Sequence, residues 1–242
     1  MTRTLACRTI ACLAVIAAAP DCTSERAKHA EPVPAPVMAG RSAEAVQQGE
    51  QRALSQRLGS VRRVGDTLFI RVASGAESTF VDNPVDNDTY VKFTYVGTVA
   101  NGALHHIDVQ GWESGGSMLV SATSGRKIWI PGPPVVSPDG RRFASSQMAM
   151  QICEGITVLE IYRVTDSIPV REWGIEPFNC ATNVGWGASD QVWLSPDTLR
   201  FTRYELSPLK GPGLDSAGGP PYPTQRMLVV HAGAGWRMVP PR

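Results

Sequence analysis

The sequence predicts an all-β fold of antiparallel four-strand meanders, propeller-like but partial or atypical in extent, with a β-sandwich as the alternative. Three observations predict it. Beyond residue 60, apolar and polar residues alternate with period two rather than at helical spacing. Nearly every gap between the alternating runs holds Gly, Asp, Asn or Pro. Gly and Pro, at 23 and 19 of 242 residues, are also too frequent for a helical bundle.

The first forty residues read as an address followed by a tether. Arg3 and Arg8 flank an acid-free start, and the apolar run Ala11–Ala19 is about ten residues, too short for a membrane span. Residues 1–19 are therefore expected to be a secretory signal, with cleavage after Ala17 or Ala18. Cys22 is the lipidation candidate, although Ala19-Pro20-Asp21 matches a lipoprotein signal poorly. Residues 20–41, with Glu31-Pro32-Val33-Pro34-Ala35-Pro36, form a Pro-rich tether without apolar periodicity. Within 42–58, Val46, Leu54 and Leu58 recur near helical spacing and predict a short amphipathic helix that flanks the domain.

The all-β domain spans 60–242. Strands are expected at Thr67–Val72, Tyr90–Val96, Leu104–Val109, Ser117–Ala122, Lys127–Ile130, Arg142–Ser146, Thr157–Val164 and Val170–Ile175. Others are expected at Gln191–Leu194, Leu199–Glu205, Met227–His231 and Trp236–Val239. In the second of these strands, Val91, Phe93 and Tyr95 share one face, opposite Tyr90, Lys92, Thr94 and Val96.

A weak internal repeat organises the strands. Val135-Val136-Ser137-Pro138-Asp139-Gly140-Arg141-Arg142-Phe143 is echoed by Trp193-Leu194-Ser195-Pro196-Asp197-Thr198-Leu199-Arg200-Phe201. Pro presets the turn and Asp bonds its own following amides. Another hairpin follows each copy, so each unit has the plan of a propeller blade. The Ser-Pro-Asp-Gly turn resembles that of TolB-like and WD40-like propeller repeats. The run from Gly111-Trp112-Glu113 through Gly132-Pro133-Pro134 to Gly140 also resembles uncharacterised bacterial secreted and lipoprotein sequences. These resemblances imply β architecture and an envelope location, and no activity. There is room for about three four-strand units, whereas closed propellers use roughly 4–8 blades. A partial stack, a sandwich and a unit that closes by self-association all fit that count.

Cys153 and Cys180 are the disulfide candidates: both fall in loops at one end of a single blade, in an oxidising compartment. The loop of about 27 residues that they close would stabilise by about 3 kcal/mol. The strand around residue 105 places His106 and Asp108 on one face and His105 on the other, and Glu113 completes a weak polar cluster. Such a set could orient a general base or donate metal ligands. With only His29 and His231 as further histidines, the spacing is not diagnostic, and no cofactor or metal is implied.

The Asp82–Asp88 segment offers oxygen ligands without the loop spacing of an EF-hand, and reads as an Asx-rich turn. Ser207-Pro208-Leu209-Lys210 spells Ser-x-x-Lys in a context that excludes the helix this chemistry needs. The Gly/Pro-rich stretch 209–224 reads as a long loop with Tyr222 as a contact residue if the loop is used. Of six tryptophans, most are expected in the core, and Trp186, between two glycines, is placed nearest the surface.

A net charge of +1 removes the electrostatic basis for nucleic-acid binding. Membrane association would come only through a lipid anchor. The reading is an exported, non-catalytic binding or scaffold protein of the bacterial periplasm or outer envelope, recognising a protein or an envelope component. An envelope hydrolase or metal-dependent enzyme working through His106, Asp108 and Glu113, and a carbohydrate-binding module using a Trp platform, are the alternatives.

Overall fold

The structure is a computed structural model that describes residues 42–112, 114–147, 158–176, 178–179, 184–206 and 224–240. The leader, the tether, Cys22, Glu113, Cys153, Cys180, Ser207–Lys210 and Tyr222 lie outside the described residues.

The described chain opens with a helix, α1 (Ala43–Ser55), and continues as strands. Sheet 1 contains β1 (Val61–Val64), β2 (Thr67–Arg71) and β3 (Glu77–Val81). Sheet 2 contains β4 (Val91–Val99), β5 (Leu104–Gly111), β6 (Gly115–Ser121) and β7 (Lys127–Ile130). Sheet 3 contains β8 (Val135–Val136), β9 (Arg142–Gln147), β10 (Val158–Arg163) and β11 (Val170–Ile175). Sheet 4 contains β12 (Phe178–Asn179), β13 (Val184–Ser195), β14 (Thr198–Leu206), β15 (Thr224–Ala232) and β16 (Gly235–Val239). Every pairing is antiparallel and joins consecutive strands, so each sheet is a meander.

The fold is thus mostly β, as the alternation requires. It holds four sheets where the sequence suggested about three units, because in sheet 1 only β2 carries a legible alternation. β1 places Arg62 and Arg63 side by side and so breaks the alternation, and β3 has one buried side chain, Phe80. The sandwich alternative fails on the cores. Among the described residues there are three, one between each successive pair of sheets, instead of the single core that two sheets would share.

Alternation explains how one sheet serves two cores. In sheet 2, Tyr95, Ile107, Val109 and Val120 pack against Leu68, Ile70 and Phe80 of sheet 1. Leu104, Leu119 and Ile130 on the opposite face meet Phe143 and Tyr162 of sheet 3. The third core joins Ala144, Leu159 and Ile161 of sheet 3 to Trp186, Trp193, Leu199, Phe201 and Val229 of sheet 4.

Helix α1 begins at Ser42, whose Oγ accepts from the Ala45 amide at 3.2 Å. It sends Ala53 and Leu54 into the first core. Its Glu50 carboxylate pairs with Arg63 at 2.8 Å and accepts the Tyr95 amide at 2.9 Å. Arg63 also pairs with Asp82 at 3.1 Å and donates to the Phe93 carbonyl, so one guanidinium staples α1, sheet 1 and sheet 2 together.

The turns β2–β3, β4–β5, β6–β7, β8–β9, β10–β11 and β13–β14 gather at one end of the stack. The Ala73 amide donates to the Ala122 carbonyl, Ser124 to the Ser167 carbonyl, and Arg142 to Asp197. Gly140 takes a positive φ of 71° against the Asn101 side chain, where a Cβ would collide.

The two Ser-Pro-Asp copies form different hairpins. In the first, Val136 pairs with Phe143 across a wide turn that ends on Gly140. In the second, Ser195 pairs directly with Thr198, leaving Pro196 and Asp197 as a two-residue turn. The first copy opens sheet 3, whereas the second joins the second and third strands of sheet 4, preceded by the unforeseen β12. Cys180 consequently falls between β12 and β13, so a bridge to Cys153, between β9 and β10, would join two sheets rather than close one blade.

Candidate functional site

β5 carries three of the side chains singled out from the sequence, and alternation sends them to different cores. His105 turns toward sheet 1, where its Nδ1 lies 3.1 Å from the Tyr95 hydroxyl. Burial, with a smaller contribution from the Arg57 charge, lowers the His105 pKa to about 4. Burial pushes Tyr95 up to about 12. His106 turns toward sheet 3, and its Nε2 lies 3.0 Å from Ser117 Oγ. Burial alone lowers its pKa to about 4. Both imidazoles are therefore neutral near pH 7, and each has one ring nitrogen engaged by a hydroxyl.

Asp108 shares the His106 face and lies opposite Ser117 in the ladder. The predicted cluster is brought together only to that extent, since Glu113 lies outside the described residues. Among the described residues, no group of three or more His, Cys, Asp and Glu side chains is arranged to hold a metal ion. The Asp82–Asp88 segment is a turn: Asp82 accepts the Phe93 amide, Asn83 donates to Thr89, and Asn87 accepts from the Thr89 amide and hydroxyl.

Sheet 3 answers His106 with a polar group that pattern reading missed. Glu160 is buried, accepts the Tyr162 hydroxyl, and pairs with Arg171 at 2.7 Å. Burial, reinforced by Glu160, raises the Tyr162 pKa. Ser145 is buried beside them and clamps Gly132, accepting its amide at 3.0 Å and donating to its carbonyl at 2.8 Å. Isolated polar residues within an apolar alternation leave no periodic signal, so only the packing shows them.

The densest ionic cluster joins sheets 3 and 4. Arg142 donates through Nε to Glu172 at 2.8 Å and through Nη1 to Asp197 at 3.0 Å and the Pro196 carbonyl at 3.3 Å. Glu172 also pairs with Arg163 at 3.0 Å and accepts Trp236 Nε1 at 3.2 Å. Burial raises the Glu172 pKa, but the bonds from Arg142 and Trp236 and the two arginine charges outweigh it, leaving the carboxyl below its ordinary value. His231 stands edge-on to Trp236 at 5.0 Å, with its Nδ1 3.9 Å from Asp197. The Ser-Pro-Asp repeat pointed to this place without its role. Asp139 stays within its own turn, on Ser137 Oγ and the Arg141 amide, whereas Asp197 reaches another sheet.

The tryptophans divide. Trp186 and Trp193 are buried, correcting the expectation that Trp186 nears the surface. Its glycine neighbours point to the opposite face of β13, while the indole stacks on Phe201 at 5.6 Å. Trp112 and Trp129 are 46% and 51% exposed, Trp129 on β7 and Trp112 just beyond the end of β5. Trp129 lies across β6 on Gly116, where a Cβ would come within 2.6 Å of the indole. Trp112 directly follows β5 at the same end of the sheet.

No protein-family model and no curated protein sequence matches the chain. Among solved structures it is similar to a protein of Agrobacterium tumefaciens provisionally assigned as TolB, at 15% identity and a TM-score of 0.34. The match covers 72% of this chain and 61% of that one, so the chain spans about three fifths of its length. The likeness is distant. What the sheets themselves define is a mostly β protein of successive antiparallel meanders.

Proposed function

We propose that this protein is a non-catalytic binding or scaffold module of the bacterial cell envelope that recognises a protein or an envelope component. The leader-like start and the Pro-rich segment support the location, with Cys22 as the position for a lipid anchor. The observation that carries the binding reading is the pair Trp112 and Trp129, left half in water at one end of sheet 2 while the other described tryptophans are more deeply covered. Indole surface is costly to leave hydrated and is enriched where partners dock. The histidines that would serve an enzyme are instead neutral, buried and bonded to Tyr95 and Ser117.

Co-sedimentation of the purified mature protein with isolated peptidoglycan sacculi and with outer-membrane vesicles tests the reading. Retention on one of these fractions is expected, weakened at least about tenfold by Trp129→Ala and Trp112→Ala together. Circular dichroism should be unchanged in the double variant. Binding to neither fraction, or binding indifferent to both substitutions, would overturn it. Retention on sacculi that soluble glycan fragments compete away identifies the component as a saccharide.

A further inference from the structure

Four sheets stacked in a row make three contacts, while a closed ring of four would make four. Among the described residues, the buried clusters join sheet 1 to 2, 2 to 3 and 3 to 4, and none joins sheet 4 to sheet 1. The outer faces of both terminal sheets keep exposed aliphatic side chains among polar and charged ones. On sheet 4 the ladder sets Val192, Arg200, Leu228 and Val239 in one row, with Val230 opposite Arg237 in the next. Val192 is exposed, as is nearby Leu194. Arg200, Arg226 and Arg237 lie on this face, and none has an ion pair among the described residues. Asp190, on β13 of the same sheet, is engaged by Ser189 and Tyr204.

Sheet 1 is the complement. Val64 and Val81 are exposed and share a row across Thr67. The turn and loop beside that row carry exposed Asp66, Val85, Asp86 and Asp88. The basic groups on this face are partly neutralised, since Arg62 pairs with Glu77. One terminal face is therefore aliphatic with free guanidinium groups, and the other is aliphatic with a carboxylate rim.

We propose that a second copy of this chain docks head to tail, the outer face of sheet 4 in each copy covering the outer face of sheet 1 in the other. Two copies then bring eight sheets into one ring, within the range of closed propellers, with no terminal face uncovered. The contact is heterologous and forms twice. It uses neither Trp112 nor Trp129, so it goes beyond the envelope-binding reading and can fail independently of it.

Sedimentation equilibrium of the mature protein and of two charge-reversed variants tests the arrangement. The wild type is expected at twice the protomer mass. Arg226→Glu with Arg237→Glu, and separately Asp86→Arg with Asp88→Arg, should each give folded monomers by circular dichroism. Mixing the two variants should restore the double mass, because one interface then pairs the reversed sheet 4 with the reversed sheet 1 and the other pairs the two unreversed faces, so opposite charges meet at both. A monomeric wild type, mixing without restoration, or Asp86/Asp88 reversal without effect would overturn the contact, and open oligomers larger than two would overturn the closure. The Trp112→Ala/Trp129→Ala variant should keep the wild-type mass, which separates failure here from failure of the envelope-binding reading.

Discussion

Strand β9 shows its two neighbours unlike faces. Phe143 and Ser145 turn toward sheet 2, where the contact is aromatic and its polar groups are a neutral histidine, serines and the Glu160–Tyr162 bond. Arg142, Ala144 and Ser146 turn toward sheet 4, where an apolar core is sealed at one end by the Arg142–Glu172–Asp197 network and at the other by Ser146 donating to the Ala188 carbonyl. One junction is held by shape and dry packing, the other by packing with an ionic seal at its rim. Their sensitivities should differ accordingly. Volume and pH should act on the first, and partner removal on the second.

The largest effect is expected from Phe143→Ala. Phe143 is fully buried and stacks on Tyr162 at 4.9 Å. Urea unfolding should show a loss of about 4 kcal/mol, and a loss below about 1 kcal/mol would mean this junction is not a dry core.

Next is the covalent lock proposed for the other junction. A Cys153–Cys180 bridge would link the β9–β10 connection to the β12–β13 connection, and so sheet 3 to sheet 4. Reduction should raise the intact mass by about 2 Da and lower stability by about 3 kcal/mol, whereas an unchanged mass removes the bridge. With the thiols held reduced, the sheet 3–sheet 4 junction should become the first to open in hydrogen exchange.

Arg142→Ala should cost about 2–3 kcal/mol, because Glu172 then remains largely buried with one cationic partner fewer. Asp197 is more than half exposed, so Asp197→Ala alone should cost under about 1 kcal/mol. Equal losses for the two would show that the seal does not depend on Glu172.

The last effect is graded by pH and belongs to sheet 2. The folded pKa values of His105 and His106 lie near 4, below the ordinary 6.5, so the unfolded chain binds more protons between those limits. The stability they contribute is complete above about pH 6.5 and is lost as pH falls toward 4, by up to about 1.4 kcal/mol per pH unit for each. His106→Gln should roughly halve that slope in urea titrations between pH 6.5 and 4. An unchanged slope would place His106 in contact with water.

Much of the strand plan was legible. Lys127–Ile130 and Val170–Ile175 have the bounds that alternation predicts, and Val91, Phe93 and Tyr95 share the face turned to the first core. β1 and β12 escaped because paired arginines and a two-residue strand leave no period to detect. The repeat was legible as spelling but not as geometry, since Gly140 permits a positive φ where Thr198 holds a tight pair. Of the candidate residues, the shared face of His106 and Asp108 could be read from parity. The Ser117 that engages His106, and the Glu160 across from it, could not.

What the sequence determined by itself is local: alternation sets which side chains share a face, and turn residues set where strands reverse. Both depend on neighbours a few positions apart, so the chain alone carries them. Only the tertiary structure decided which face meets which sheet, that Asp197 serves Arg142 fifty-five residues away rather than its own turn, and that among the described residues no core joins sheet 4 to sheet 1. Those outcomes depend on burial and on charges meeting across space, which distance along the chain does not encode.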